Sequence, residues 1–285
     1  MIAVTGATGH LGRLVIQQLL QKVPAAQVVA AVRAPDKAGD LAASGVQIRR
    51  ADYDAPETLA GAFHGIDSLL LVSGNELGQR ARQHRAAVAA AKQAGGKLLA
   101  YTSLLHADTS GISLAAEHRA SEEAIRESGI PFVLLRNGWY LENYTENLGP
   151  ALQHGVLLGA AKQGRIAAAA RADYAAAAVA VLTAPGHEGR VYELAGDQPF
   201  TMAELAAEVA RQAGKPVAYH DLPGDEYAEA LRGFGLPGPV VEMLVSADEG
   251  IARGELDDAS GALRRLIGRP TTSLAQAVGA ALKRA

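Results

Sequence analysis

The chain has 285 residues, 49% of them hydrophobic and 20% charged, with a formal net charge of −3 and no cysteine. That length admits one large α/β unit or two lobes around a real core, and the composition is that of a folded globular chain. Disulfides, thiolate catalysis and cysteine metal sites are excluded, and there is no basic field for nucleic acid.

IAVT (2–5) reads as a buried strand. The glycine-rich TGATGHLG (5–12) leads from it into a helix whose apolar positions recur at Leu11, Val15 and Leu19. VVAAVR (28–33), VQIRRA (46–51), SLLLVS (68–73), KLLAYTS (97–103) and FVLLR (132–136) read as further strands. The intervals are mostly long enough for crossover helices, one of them with Val88 and Ala91 on its apolar face. Gly95-Gly96 stops that helix, and Ser128-Gly129 before Pro131 stops another. This alternation predicts a doubly wound parallel sheet with right-handed connections.

After Arg136 the pattern changes. NGWYLENYTENLGP (137–150) is polar and aromatic; RADYAAAAVAVL reads as a helix with Asp173 as its N-cap; VYELAG (191–196) reads as a strand. Thr201 and Glu204 form a capping box, and the remainder is mainly helical, broken by LPGD, GLPGP and GRPTTS. The expected fold is therefore α/β: a Rossmann-type doubly wound parallel sheet over 1–136, and a smaller, mainly helical C-terminal lobe over 137–285, from which a segment near 190–196 returns to the sheet. No stretch is long and apolar enough to span a membrane, and the first twenty residues lack a basic n-region, so a cytoplasmic location is expected. The eight histidines are scattered, without HExxH, and no metal site is expected.

TGATGHLG stands where a strand opens into a helix, the context that gives a glycine loop meaning. Gly6 permits the tight turn, Gly9 lets backbone N–H groups approach a pyrophosphate, and Gly12 lets helix and sheet pack closely. The helix N-terminus then favours the anion. The second strand ends in Arg33, with Lys37 close behind, where a carboxylate would bind the ribose of NAD. A guanidinium there suits a 2′-phosphate, so NADPH is the expected cofactor; the alternative is a surface arginine that binds nothing. Asp52 either faces adenine or caps the next turn. SGNE (73–76) follows the fourth strand, where small residues admit a ribose.

The GxxGxxG spacing resembles that of the short-chain dehydrogenase superfamily, whose Tyr-x-x-x-Lys pair donates a proton. None of Tyr53, Tyr101, Tyr140, Tyr144, Tyr174, Tyr192, Tyr219 or Tyr227 has a lysine four residues on, and AAEHRASEEA (115–124) contains neither residue. TGATGHLG, VRAPDKA, ADYDAPETL, AYTSLLHADTS, LLRNGWYLENY and RADYAAAAVAVL, in this order, resemble the NmrA-like atypical branch of that superfamily, and within it the bacterial NADPH:quinone oxidoreductases. The likeness runs over essentially the whole chain, and the lysine is missing in those quinone reductases as well.

The resemblance implies an NADP-binding Rossmann domain, a substrate lobe, and reduction of a small-molecule quinone by direct hydride transfer without a Tyr-Lys acid. It implies cofactor contacts from Gly6, Ala7, Thr8, Gly9, His10, Leu11, Arg33, Ser73, Gly74, Asn75, Trp139, Tyr140, Leu141, Glu142, Asn143, Tyr144 and Arg171. Asn137 is the first candidate for an amide donor to the quinone oxygen, with Tyr140 and His106 behind it. Each has a plain structural alternative: Asn137 holding an Asx turn, Trp139 and Tyr140 as core aromatics, His106 as a polar loop residue, Arg171 as a helix-flanking charge. A homodimer is compatible with the family. Two other functions stay open, a non-catalytic NADP(H)-binding redox sensor and a reductase of another conjugated electrophile such as a dye or an enone.

Overall fold

The computed structural model describes residues 1–284. Six parallel strands, β1 (Ile2–Thr5), β2 (Val28–Val32), β3 (Gln47–Arg50), β4 (Ser68–Leu71), β5 (Leu98–Leu104) and β6 (Phe132–Asn137), run in the order β3-β2-β1-β4-β5-β6. β7 (Val156–Gly159) pairs in parallel with β9 (Ala218–Asp221), and β8 (Arg190–Leu194) adds a seventh strand beside β6. The longer helices are α1 (His10–Leu19), α2 (Arg80–Gln93), α3 (Ala115–Ser128), α4 (Arg171–Thr183), α5 (Met202–Ala213), α6 (Gly224–Gly233), α7 (Gly238–Ala252) and α8 (Leu274–Leu282).

All five residues of β2 are buried, as expected of a strand covered by helices on both faces. β1 lies between β2 and β4, with Val4 in register with Ala30 on one side and Leu70 on the other. The chain reverses its direction of winding there. In such sheets ligands bind outside the carboxyl ends of the strands at that switch point, which is where the glycine loop leaves β1.

Two compact units form. The first comprises residues 1–104, 117–137 and 171–192, with a core that includes Leu59, Phe63, Leu69, Leu71, Leu99 and Tyr101. The second comprises 105–116, 138–170 and the chain from 193 onward. Its larger core gathers Leu105, Ile166, Leu205, Val209 and Val278, and a smaller one gathers Ala160, Tyr227, Leu231 and Val241. The Thr201–Glu204 capping box is present at the start of α5.

One boundary differs from expectation. α4 begins at Arg171, so Asp173 is not its N-cap but sits in the first helical turn, fully buried. Backbone through Ala169 is committed to a bridge with Tyr140, and the helix starts as soon as that pairing ends. An acidic side chain in the first turn still complements the helix dipole. Among the described residues, no helix is long and apolar enough to cross a membrane.

Candidate active site

The glycine loop is shaped by what its residues lack. Gly6 has φ +57°, a conformation that disfavours any side chain, and its carbonyl accepts the Gly9 N–H at 2.9 Å. A Cβ on Gly12 would lie 2.4 Å from the Gly6 oxygen and 2.8 Å from the Ala7 Cα, so only glycine fits. Gly9 is the N-cap of α1, and no side chain caps that helix. The amides of its first turn are thus left to an external anion, and the loop fits a dinucleotide pyrophosphate. Thr8 lends its carbonyl to Arg13 Nε at 3.1 Å, and Ala7 is buried while His10 is exposed.

Beside the loop, Arg33 follows β2 with its side chain 70% exposed and donates from Nη1 to Glu76 Oε1 at 2.9 Å. Arg13 on α1 is paired with Asp40, and among the described residues Lys37, exposed nearby, makes no ion pair. Asp52 turns inward to its own loop: its Oδ1 accepts the Asp54 N–H at 3.1 Å, the Asx turn that caps the segment.

The SGNE loop is anchored from beneath. Ser73 N–H donates to Thr102 Oγ1 at 2.9 Å, Gly74 N–H to His84 Nε2 at 3.2 Å, and Arg80 Nε to the Gly74 carbonyl at 2.8 Å. Because His84 Nε2 accepts, its proton sits on Nδ1, which reaches Ser121 Oγ at 2.9 Å; that hydroxyl donates to the Glu117 carbonyl. Burial, then the nearby Arg80 charge, pull His84 down to about 3, so the ring stays neutral.

α3 carries AAEHRASEEA, and one face of it, with Glu117, His118, Ser121 and Glu122, points into the protein, while Arg119 and Glu123 are exposed. Glu117 binds Arg80 Nη1 at 2.8 Å; His118 Nδ1 meets the Tyr101 hydroxyl at 2.8 Å; Glu122 accepts Ser103 Oγ at 2.6 Å and Arg136 through both Nε (2.9 Å) and Nη2 (2.7 Å). Burial drives His118 well below the usual histidine range and raises the Tyr101 phenol. Sequence reading did not assign Arg80, His84, Glu117, Ser121, Glu122 or Arg136. The available signal was spacing: Glu117 with Ser121, His118 with Glu122, and Arg80 with His84 are each four residues apart, one turn along a helix face.

Asn137 ends β6, opposite Leu104 on β5. It is 4% exposed and among the described residues its Oδ1 has no hydrogen-bond partner, so the Asx-turn alternative is not made. Arg171 opens α4 and is half-buried.

The remaining candidates lie in the second unit. Trp139 and Tyr144 pack against its larger core, in line with the core-aromatic alternative for Trp139, and Tyr144 meets Phe200 edge-on at 5.9 Å. Tyr140 bridges Ala169, while Leu141 is buried and donates its N–H to the Ala169 carbonyl at 3.0 Å. Glu142 begins a short helix, Glu142–Thr145, that includes Asn143 and Tyr144. The Tyr144 hydroxyl is buried without a hydrogen-bond partner, and its phenol is shifted well upward, first by burial and then by Asp248. His106 turns a corner at φ +53°, with its N–H on Glu193 at 2.8 Å and its ring 3.4 Å from Asp258.

Residues 6–185 match a family model described as NAD(P)H-binding. This chain belongs to the NmrA-like NAD(P)H-binding family. As a family member it is 54% identical, over 98% of its length and 97% of the relative's, to quinone oxidoreductase 2 of Escherichia coli. The crystal structure of the NADPH-dependent quinone oxidoreductase of Escherichia coli, complexed with NADPH, superposes with a TM-score of 0.97 at 53% identity, covering 99% of this family member and 100% of that chain. The Citrobacter triphenylmethane reductase complexed with NADP(H) superposes with a TM-score of 0.95 at 40% identity, covering 99% and 100%.

Proposed function

We infer that this protein is an NADPH-dependent quinone oxidoreductase. The near full-length likeness to the Escherichia coli enzyme carries the reading. The first unit is its nucleotide-binding domain and the second its substrate lobe. The glycine loop holds the pyrophosphate on uncapped α1 amides, Arg33 and Lys37 read the 2′-phosphate, and Ser73, Gly74 and Asn75 flank a ribose. Trp139 to Tyr144 and Arg171 complete the cofactor contacts. Bound NADPH supplies the hydride.

The inward-facing α3 supports a substrate that needs little acid help. On its inward face His118, Glu117 and Glu122 are already spent on Tyr101, Arg80 and Arg136. A ketone would become an alkoxide, a strong base that requires a protein proton donor. A quinone becomes a phenolate-like anion with a conjugate acid near about 10, for which water or a weak donor suffices. Asn137 is the group we assign to that oxygen. The buried Oδ1 is an acceptor that a quinone oxygen cannot satisfy, so Asn137 acts as a donor through its Nδ2 end, which a flip of the amide presents to the ligand. Tyr140 and His106 are the second and third candidates for that donor. The protein then works by positioning and by polarising a carbonyl.

Purified protein, NADPH and a benzoquinone, followed by the loss of reduced-nicotinamide absorbance, test the reading. Turnover well above the uncatalysed rate is expected. Tight NADP⁺ binding without turnover would instead make the chain a redox sensor, and turnover of a triphenylmethane dye but of no quinone would make it a dye reductase.

A further inference from the structure

We propose that Glu76 competes with the 2′-phosphate for Arg33 and so sets how strongly the protein prefers NADPH over NADH. The proposal rests on the assignment of Arg33 to that phosphate.

Glu76 is not a chance neighbour of the guanidinium. Its Oε1 accepts Arg33 Nη1 at 2.9 Å, and its Oε2 accepts Gln83 Nε2 at 2.8 Å. Gln83 is 3% exposed and lies on α2, so it fixes the carboxylate from a buried position. Both oxygens are therefore occupied, one by the cofactor-reading arginine and one by the scaffold. The second guanidinium of the region, on Arg13, is likewise paired with Asp40, and among the described residues Lys37 alone of these three cations makes no ion pair. A 2′-phosphate meets one unengaged ammonium and two cations that already hold carboxylates.

The two cofactors meet this arrangement differently. A phosphate either takes the guanidinium from Glu76 or shares it through the N–H groups that Glu76 leaves unused, and either way it lies beside the carboxylate, a like-charge contact. A ribose 2′-hydroxyl leaves the Arg33–Glu76 pair intact and can donate to the carboxylate, as acidic residues do in NAD-binding proteins. Arg33 thus favours NADPH and Glu76 opposes it, and the preference is the difference between the two. The pair is exposed, which bounds the effect to a modest factor.

Glu76→Gln keeps the side chain's shape and its acceptor for Gln83 while removing the charge. Titration calorimetry with NADPH and with NADH at low salt should show NADPH bound about two- to five-fold more tightly by Glu76→Gln, with NADH unchanged or weaker. The gain should shrink at high salt. In an Arg33→Ala background the same substitution should gain at most half as much, since the competition for the guanidinium is gone. If Arg33→Ala lowers the NADPH-to-NADH preference while Glu76→Gln leaves it unchanged, the competition is refuted and the role of Arg33 stands. If Arg33→Ala leaves the preference unchanged, the assignment of Arg33 falls and the proposal with it.

Discussion

Acidification should loosen the first unit through His84. Its folded pKa is about 3 against an ordinary histidine value of 6.5. The unfolded chain therefore takes up a proton as pH falls through 6.5 while the folded protein takes up none until near 3. Stability from this group is complete above 6.5 and drains away between 6.5 and 3. From about pH 7.5 to about pH 5 the proton uptake of the unfolded state alone amounts to about 2 kcal/mol. His118, shifted in the same direction by burial, adds to the loss, whereas Asp248, raised to about 6, gains stability as pH falls. Those contributions are common to a His84→Gln variant, which keeps an acceptor for the Gly74 N–H but does not titrate. Urea unfolding of both proteins without added NADPH isolates the difference: the wild type should lose about 2 kcal/mol more than His84→Gln over that interval. Equal losses would refute a His84 that stays neutral in the folded protein.

Gly12→Ala must push a methyl into the Gly6 carbonyl; it should abolish measurable NADPH binding and cost about 1–3 kcal/mol in thermal unfolding. Asn137→Ala should lower quinone turnover about tenfold while sparing NADPH affinity, and unchanged turnover would remove it from the reaction. Arg136→Met leaves the buried Glu122 carboxylate with only Ser103 and the more distant Arg126, and should destabilise the protein by about 3 kcal/mol, read as a fall in Tm.

The apolar half of the design was readable because strands such as β2 and β4 are buried on both faces and appear as unbroken runs of Val, Ala and Leu. The glycine loop was readable because Gly6 and Gly12 answer a backbone angle and a close approach that no other residue allows. The β7–β9 pair was not: the apolar run VLL in β7 is short and only half-buried, and its partner AYHD is mostly exposed, with neither alternation nor an apolar run to mark it. α3 was misleading in a different way. Residue type alone suggests that Glu117, His118 and Glu122 face water or a substrate, and only their partners on β5, β6 and α2 reveal an inward face. The competition at Arg33 was hidden for the same reason, since Glu76 lies far from it in sequence and close in space.

The order in which the chain builds the first unit bears on how such proteins diverge. α4 packs on α1, where Gln18 Nε2 donates to the Ala172 carbonyl at 3.0 Å, and β8 covers the edge of β6. A fragment ending at residue 136 would lack both, leaving an apolar helix face and an open strand edge exposed to aggregation. The nucleotide scaffold is thus not a detachable module. Its partner unit is contributed by excursions at 105–116 and 138–170 and by the chain from 193 on. With that unit as the proposed substrate lobe, new hydride acceptors are acquired by rewriting those excursions, as lengthened loops of an unbroken scaffold, without recombining whole domains.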